Sequence, residues 1–213
     1  MINYKILQDS IVHYEQCGFQ RIESPWTVTP ATSDITRPAT ATQWTIKEKD
    51  KVLVASGEQS FLYLYNKGFL PKGRFQTITP CFRDEIFDSW HTKYFIKNEL
   101  IVTDDVTFGQ LRNVILSAKE FFNEYCQRVK SPDYLNHAGS GVNIYRVTPS
   151  GSKLVQDVSL DDLHEYPQYD LIYCGVELGS YGIRQCEYLK WIYGTGVAEP
   201  RFSRVLDRYG ISY

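Results

Sequence analysis

The chain has 213 residues, of which 43% are hydrophobic and 23% charged, with a formal net charge of -2. This is an ordinary globular composition, long enough for one sizeable core with room for one small appendage. The near-neutral charge supplies no global basic field for nucleic acid, no run of about 18 apolar residues offers a membrane span, and MINYKILQDSIVHYEQ lacks the features of a signal peptide.

Five cysteines (Cys17, Cys81, Cys126, Cys174 and Cys186) are scattered and never form a C-x-x-C pair. The pattern suits reduced thiols in a cytoplasmic protein, and no Cys/His spacing suits a zinc site.

In chain order, residues 3 to about 16 place Ile6, Leu7, Ile11, Val12 and Tyr14 at helical spacing, and Cys17-Gly18 closes the helix. FQRIESPWTVTP reads as a short strand entering a proline-bounded turn. Residues 31–50 are polar and without period, which predicts a loop or an edge ribbon near its end. KVLVASGEQ reads as an apolar strand ending in a small-residue turn, and SFLYLYNKG as a short helix closed by Gly68. RFQTITPCFR and YFIKNELIV form a hairpin. Residues 107–129 carry a broad apolar stripe from Phe108 to Tyr125 behind the N-cap Thr107, the clearest helix in the chain. GVNIYRVTPSG and KLVQDVSL read as antiparallel strands around a turn, and PQYDLIYCGVELG as one strand with Glu177 at its far end. EYLKWIYG and a helical PRFSRVLDRYG close the chain. Without a repeat, linker or low-complexity tail, the expectation is one α+β domain over 1–213, helices flanking an antiparallel sheet.

The hairpin holds the first chemistry. Residues two apart on a strand share a face, so Arg83 and Glu85 project together, as do Phe95, Lys97 and Glu99. An arginine fork grips phosphate or carboxylate, a ring offers a platform to a base, and paired carboxylates can hold Mg²⁺. A nucleotide triphosphate would need these groups; a solvated hairpin laced with salt bridges would also explain them. VELGSYGIR adds Glu177, Gly179, Gly182 and Arg184, whose glycines would let the backbone pass close to a ligand, or simply form a turn. GTGVAEPRFSR adds Gly194 and Gly196 before Arg201 at a helix start.

Together these segments resemble the three signature motifs of the class II aminoacyl-tRNA synthetases. GFQRIESP looks like motif 1, ending at Pro25; FRDE with His91, Phe95 and Glu99 in H-x-x-x-F-x-x-x-E looks like motif 2; GTGVAEPRFSRVL looks like motif 3, with Arg201 at its arginine. The likeness runs from about Leu7 to Tyr209. It implies an antiparallel sheet flanked by helices and a homodimer formed through the Pro25 motif. Arg83 would bind the α-phosphate of ATP and the transferred carboxylate, and Glu85 and His91 would belong to the ATP site. Phe95 and Arg201 would sandwich adenine, with Arg201 reaching the γ-phosphate, and Glu177, with Glu99 as second candidate, would hold Mg²⁺. YDLIYCGVELGSYGIR resembles the aspartyl and asparaginyl branch, in which Arg184 would receive a side-chain carboxylate. Glu58, in Ser56–Glu58, would bind the substrate ammonium.

The sequence departs from that branch at Trp90-His91 in the motif 2 loop and at Glu199-Pro200 before Arg201. No separate anticodon-binding domain fits in this length. The resemblance therefore implies activation of an amino acid as its adenylate, with tRNA, ammonia or a carrier as acyl acceptor. One alternative is a non-catalytic paralogue binding ATP, amino acid, tRNA or a protein. Another is a minimal RNA-binding form with Lys72, Lys93 and Lys97 as its basic contacts.

Overall fold

A computed structural model of the chain describes residues 1–39, 41–46, 50–84, 88–127, 141–156, 158 and 167–211. The first element is helix α1 (Tyr4–Gln16), started by the Asn3 side chain, which accepts from the backbone N–H of Lys5 and Ile6. Strand β1 (Gln20–Arg21) follows, then β2 (Thr27–Val28) and helix α2 (Pro30–Asp34), with Pro30 at its first turn behind the Thr29 cap. The region expected to be loop or ribbon thus begins with a helical turn, which Thr29-Pro30 nucleates without any apolar period.

Strand β3 (Val52–Leu53) is only two residues long, and helix α3 (Gly57–Asn66) starts earlier than the sequence pattern indicated. Ser56 is its N-cap, so Glu58 lies in the first helical turn rather than in a turn after a strand. A carboxylate there is favoured by the helix dipole. The hairpin is β4 (Arg74–Phe82) with β5 (Tyr94–Val102), and the long helix is α4 (Phe108–Cys126), capped by Thr107.

Strands β6 (Asn143–Thr148) and β7 (Gly151–Val155) form the expected antiparallel pair. The single strand expected over PQYDLIYCGVELG is a hairpin instead, β8 (Gln168–Tyr173) and β9 (Val176–Gln185). Cys174 and Gly175 turn the chain, both at positive φ (48° and 78°), the geometry of a two-residue type I′ turn. Glu177 accordingly lies at the start of β9. Strand β10 (Lys190–Glu199) leads into helix α5 (Arg201–Arg208).

Eight strands form one sheet in the order β1-β4-β5-β10-β9-β8-β6-β7, antiparallel except for the β1–β4 edge. Pro80 sits in β4 beyond the two residues that β1 covers, where no further strand needs its missing N–H. Strand β5 shows how the sheet sorts its side chains. Ile96, Leu100 and Val102 enter the main core with α1, α4 and α5, while Ile101 packs with Phe61, Leu62, Trp191 and Tyr193 under α3. The alternate residues Phe95, Lys97 and Glu99 line a cleft on that second side. Among the described residues, no helix is long and apolar enough to cross a membrane.

Candidate active site

The cleft encloses about 370 Å³ between α3, the β4–β5 hairpin, β9 and the start of α5. Arg83, one residue beyond β4, donates from Nε to the Ala55 carbonyl at 2.9 Å, and its guanidinium lies 5.1 Å from the Phe95 ring centroid. On the opposite wall, Arg201 Nη1 is 3.5 Å from Glu177 Oε1, and Arg201 Nε donates to the Trp90 carbonyl at 3.4 Å. Two further ion pairs are built on buried glutamates. Arg184 Nη1 donates to Glu58 Oε2 at 2.5 Å, and Lys97 Nζ donates to Glu99 Oε1 at 2.7 Å. Ser56 joins the pairs, accepting from the Glu58 N–H and donating to Glu99 Oε2.

Glu58 and Arg184, expected to meet different parts of a substrate, meet each other. Trp191 Nε1 donates to Glu58 Oε1 at 2.6 Å, so both oxygens have partners. Burial pushes the Glu58 carboxyl up, while Arg184 and the indole N–H hold it down. The Arg184 guanidinium also stacks 4.2 Å from the Tyr193 centroid. A substrate carboxylate at Arg184 would therefore share it with Glu58.

Glu99 does not fit the metal role expected for it. Its side chain is 1% exposed and its oxygens are held by Lys97 and Ser56. Glu177 is 47% exposed at the cleft, and it fits as a single carboxylate that could hold Mg²⁺ jointly with phosphate oxygens. Among the described residues, no group of three or more His, Cys, Asp and Glu could hold a metal unaided.

His91 does not line the cleft. Its Nδ1 lies 2.8 Å from Asp88 Oδ2, and the Asp88 carboxyl is held down to about 2, chiefly by that bond and also by the N–H groups of Trp90 and His91. The Asp88-centred turn aims His91 outward and presents Trp90 and Thr92 to the cleft instead. Glu85 lies outside the described residues. Pro25, also outside the cleft, accepts at its carbonyl from Ser60 Oγ at 2.7 Å.

Gly179 and Gly182 leave room for protein rather than for a ligand. A Cβ on Gly182 would lie 2.6 Å from the Pro167 carbonyl oxygen, and one on Gly179 2.8 Å from both Thr195 Cβ and the Tyr181 hydroxyl. The departure at Glu199 also has a structural cause: its carboxylate receives Ser203 N–H and Oγ–H, which caps α5, and the Asn3 N–H, which ties down α1. Burial raises its pKa, against those bonds.

Two contributors carry no local sequence signal: Trp191 looks like an ordinary core residue, and Arg37 lines the cleft from the aperiodic segment 31–50. Lys97, which alternation along β5 places beside Phe95 and Glu99, is only 12% exposed and so is poorly placed for the RNA contact of the alternative reading. Lys93, by contrast, is outside that cluster and pairs with Asp84.

The fold is that of class II aminoacyl-tRNA synthetase catalytic domains. Seryl-tRNA synthetase from Pyrococcus horikoshii, complexed with ATP, matches at TM-score 0.64 and 12% identity, over 92% of this chain and 48% of that one. Pyrrolysyl-tRNA synthetase from Desulfitobacterium hafniense matches at TM-score 0.64 and 15% identity, over 97% and 69%. The cytoplasmic serine-tRNA ligase from Naegleria fowleri, in complex with AMP, matches at TM-score 0.62 and 16% identity, over 96% and 53%. This chain thus spans about half the length of the seryl enzymes. No protein-family model matches the sequence, and no curated protein matches it. The likeness is one of fold and does not single out the aspartyl or asparaginyl branch.

Proposed function

We propose that the chain activates a small polar α-amino acid with ATP, forming an aminoacyl adenylate and releasing pyrophosphate. The observation that carries this reading is the gathering of Arg83 over Phe95, Arg201 beside Glu177 and Glu58 with Arg184 in one cleft. In this reading the Phe95 ring and Arg201 hold adenine, and Arg83 aligns the α-phosphate with the substrate carboxylate. The carboxylate oxygen then attacks phosphorus and the bond to pyrophosphate breaks. Such a reaction needs orientation and positive charge rather than an acid or base. Magnesium, held by Glu177 and the phosphates, would add charge neutralisation.

The ammonium of the amino acid would approach Glu58, and an aspartate or asparagine side chain would approach Arg184. The acyl acceptor would be tRNA, ammonia or a carrier, and a homodimer would form through the Pro25 segment. The ATP and AMP in the two seryl complexes support a nucleotide in this cleft. The outward turn of His91 and the engagement of Arg201 by Glu177 and Trp90 favour a second reading, a non-catalytic paralogue that binds the same ligands.

Amino-acid-dependent ATP–pyrophosphate exchange separates the two. Exchange with one small polar amino acid, abolished by Arg83→Ala, is expected. Measurable ATP binding with no exchange across all amino acids would leave the paralogue reading standing and sink the enzyme.

A further inference from the structure

Lys97 has no role in the proposed chemistry, yet it occupies the middle of the cleft. It stands on the cleft-facing row of β5 between Phe95, the platform for the base, and Glu99, which joins the amino-acid end through Ser56. Residues two apart along a strand are about 7 Å from one another. Lys97 therefore falls where the phosphate end of a nucleotide and the carboxylate end of an amino acid would meet. Its cross-strand neighbours, Thr79 on β4 and Ala198 on β10, are small.

An ammonium has three N–H donors. One goes to Glu99 Oε1 at 2.7 Å, and among the described residues no other acceptor takes the remaining two. Glu99 is itself fixed by Ser56 Oγ at 2.6 Å, so it holds the ammonium in place. The pair is nearly shut off from solvent, where a charge acts on a neighbouring anion with little screening.

We propose that Lys97 contacts the α-phosphate of the bound nucleotide, a second cation beside Arg83 at the reacting centre, and that Glu99 serves to position it. This rests on the nucleotide reading above. The charge gathered on the α-phosphoryl group during attack would be shared between the guanidinium and the ammonium.

Calorimetric titration with adenosine and with AMP, in the absence of divalent metal, tests the assignment. The two ligands differ by the phosphate alone. Wild-type protein is expected to prefer AMP. Lys97→Met strands the Glu99 carboxylate, so the charge-balanced double variant Lys97→Met/Glu99→Gln is decisive. It should lose about tenfold of the AMP preference, the size of one charge-assisted hydrogen bond, with adenosine affinity unchanged. Lys97→Arg should keep most of the preference. An unaltered preference in the double variant overturns the contact, and loss of adenosine binding as well makes Lys97 structural and overturns it too. A wild-type protein that binds neither ligand sinks the nucleotide reading itself, and this inference with it.

Discussion

Trp191 and Arg184 are cross-strand partners on β10 and β9, and each holds one oxygen of Glu58, at 2.6 and 2.5 Å. The indole and the guanidinium thus act as two jaws on a carboxylate delivered by the first turn of α3. Replacing Trp191 by Phe keeps the ring and removes one donor. A hydrogen bond to a charged group contributes about 1.5–3 kcal/mol, so urea melts should show a loss in that range. If the site works as proposed, the KM for the amino acid rises several-fold in the exchange assay while the KM for ATP stays put. Equal shifts in both would mean that the clamp serves only the fold.

Arg184→Met should cost more than its surface position suggests. The arginine side chain is 38% exposed, but its partner Glu58 is 5% exposed and would be left buried and uncompensated. Breaking a buried pair costs about 3–5 kcal/mol, and the partial exposure of Arg184 places this one near the low end. The double variant Arg184→Met/Glu58→Gln should recover most of the loss, and a double-mutant cycle measures the coupling. Burial raises the Glu58 pKa in the fold relative to the unfolded chain. In the single variant the loss is therefore greatest at neutral pH and fades as falling pH protonates Glu58. A loss that ignores pH would count against a stranded carboxylate.

Much of the cleft is legible in the sequence because it lies on regular strands. Two-residue alternation suffices to put Phe95, Lys97 and Glu99 on one side, and the apolar stripe of α4 identifies the opposite side. What resists reading depends on partners distant in sequence. Nothing local in Ser56–Glu58 announces that Glu58 will meet Trp191, 133 residues away. Glu199 likewise looks like a departure in a motif until the Asn3 N–H is found against it across the fold. Short-range competition hides the rest: Asp88 captures His91 three residues on, and a Cys-Gly turn splits an apparently continuous strand.

Asp170 carries a prediction about pH. Burial, with repulsion from Glu177, raises its carboxyl to about 6, and its buried Oδ1 has no hydrogen-bond partner among the described residues. The folded pKa lies above the ordinary value, so the native state binds the extra proton between about pH 4 and 6. Stability contributed by this group is present at low pH and lost as pH rises through about 6. Asp170→Asn should therefore melt higher than wild type at pH 7.5, by roughly 1 kcal/mol after allowing for partial solvent screening. The advantage should shrink toward pH 5. A constant difference across that range would show that Asp170 does not titrate there.

The loop before Thr92 is fastened to α5 by three arginines. Arg201 Nε and Arg204 Nη1 donate to the carbonyls of Trp90 and Ser89, and the Arg208 guanidinium lies 5.2 Å from the Trp90 ring. Trp90 also packs against the main core, so its ring anchors the carbonyl that orients Arg201. Trp90→Ala removes the anchor and the cation–π contact, together about 1–2 kcal/mol, and leaves every charged group of the cleft in place. In the exchange assay the KM for ATP should rise about three- to tenfold, since a loosened Arg201 must be ordered again on binding, while the KM for the amino acid stays unchanged. Tryptophan to phenylalanine at the same position keeps a ring over the core and should fall between the two. Unchanged ATP kinetics in Trp90→Ala would show that Arg201 is oriented by Glu177 alone.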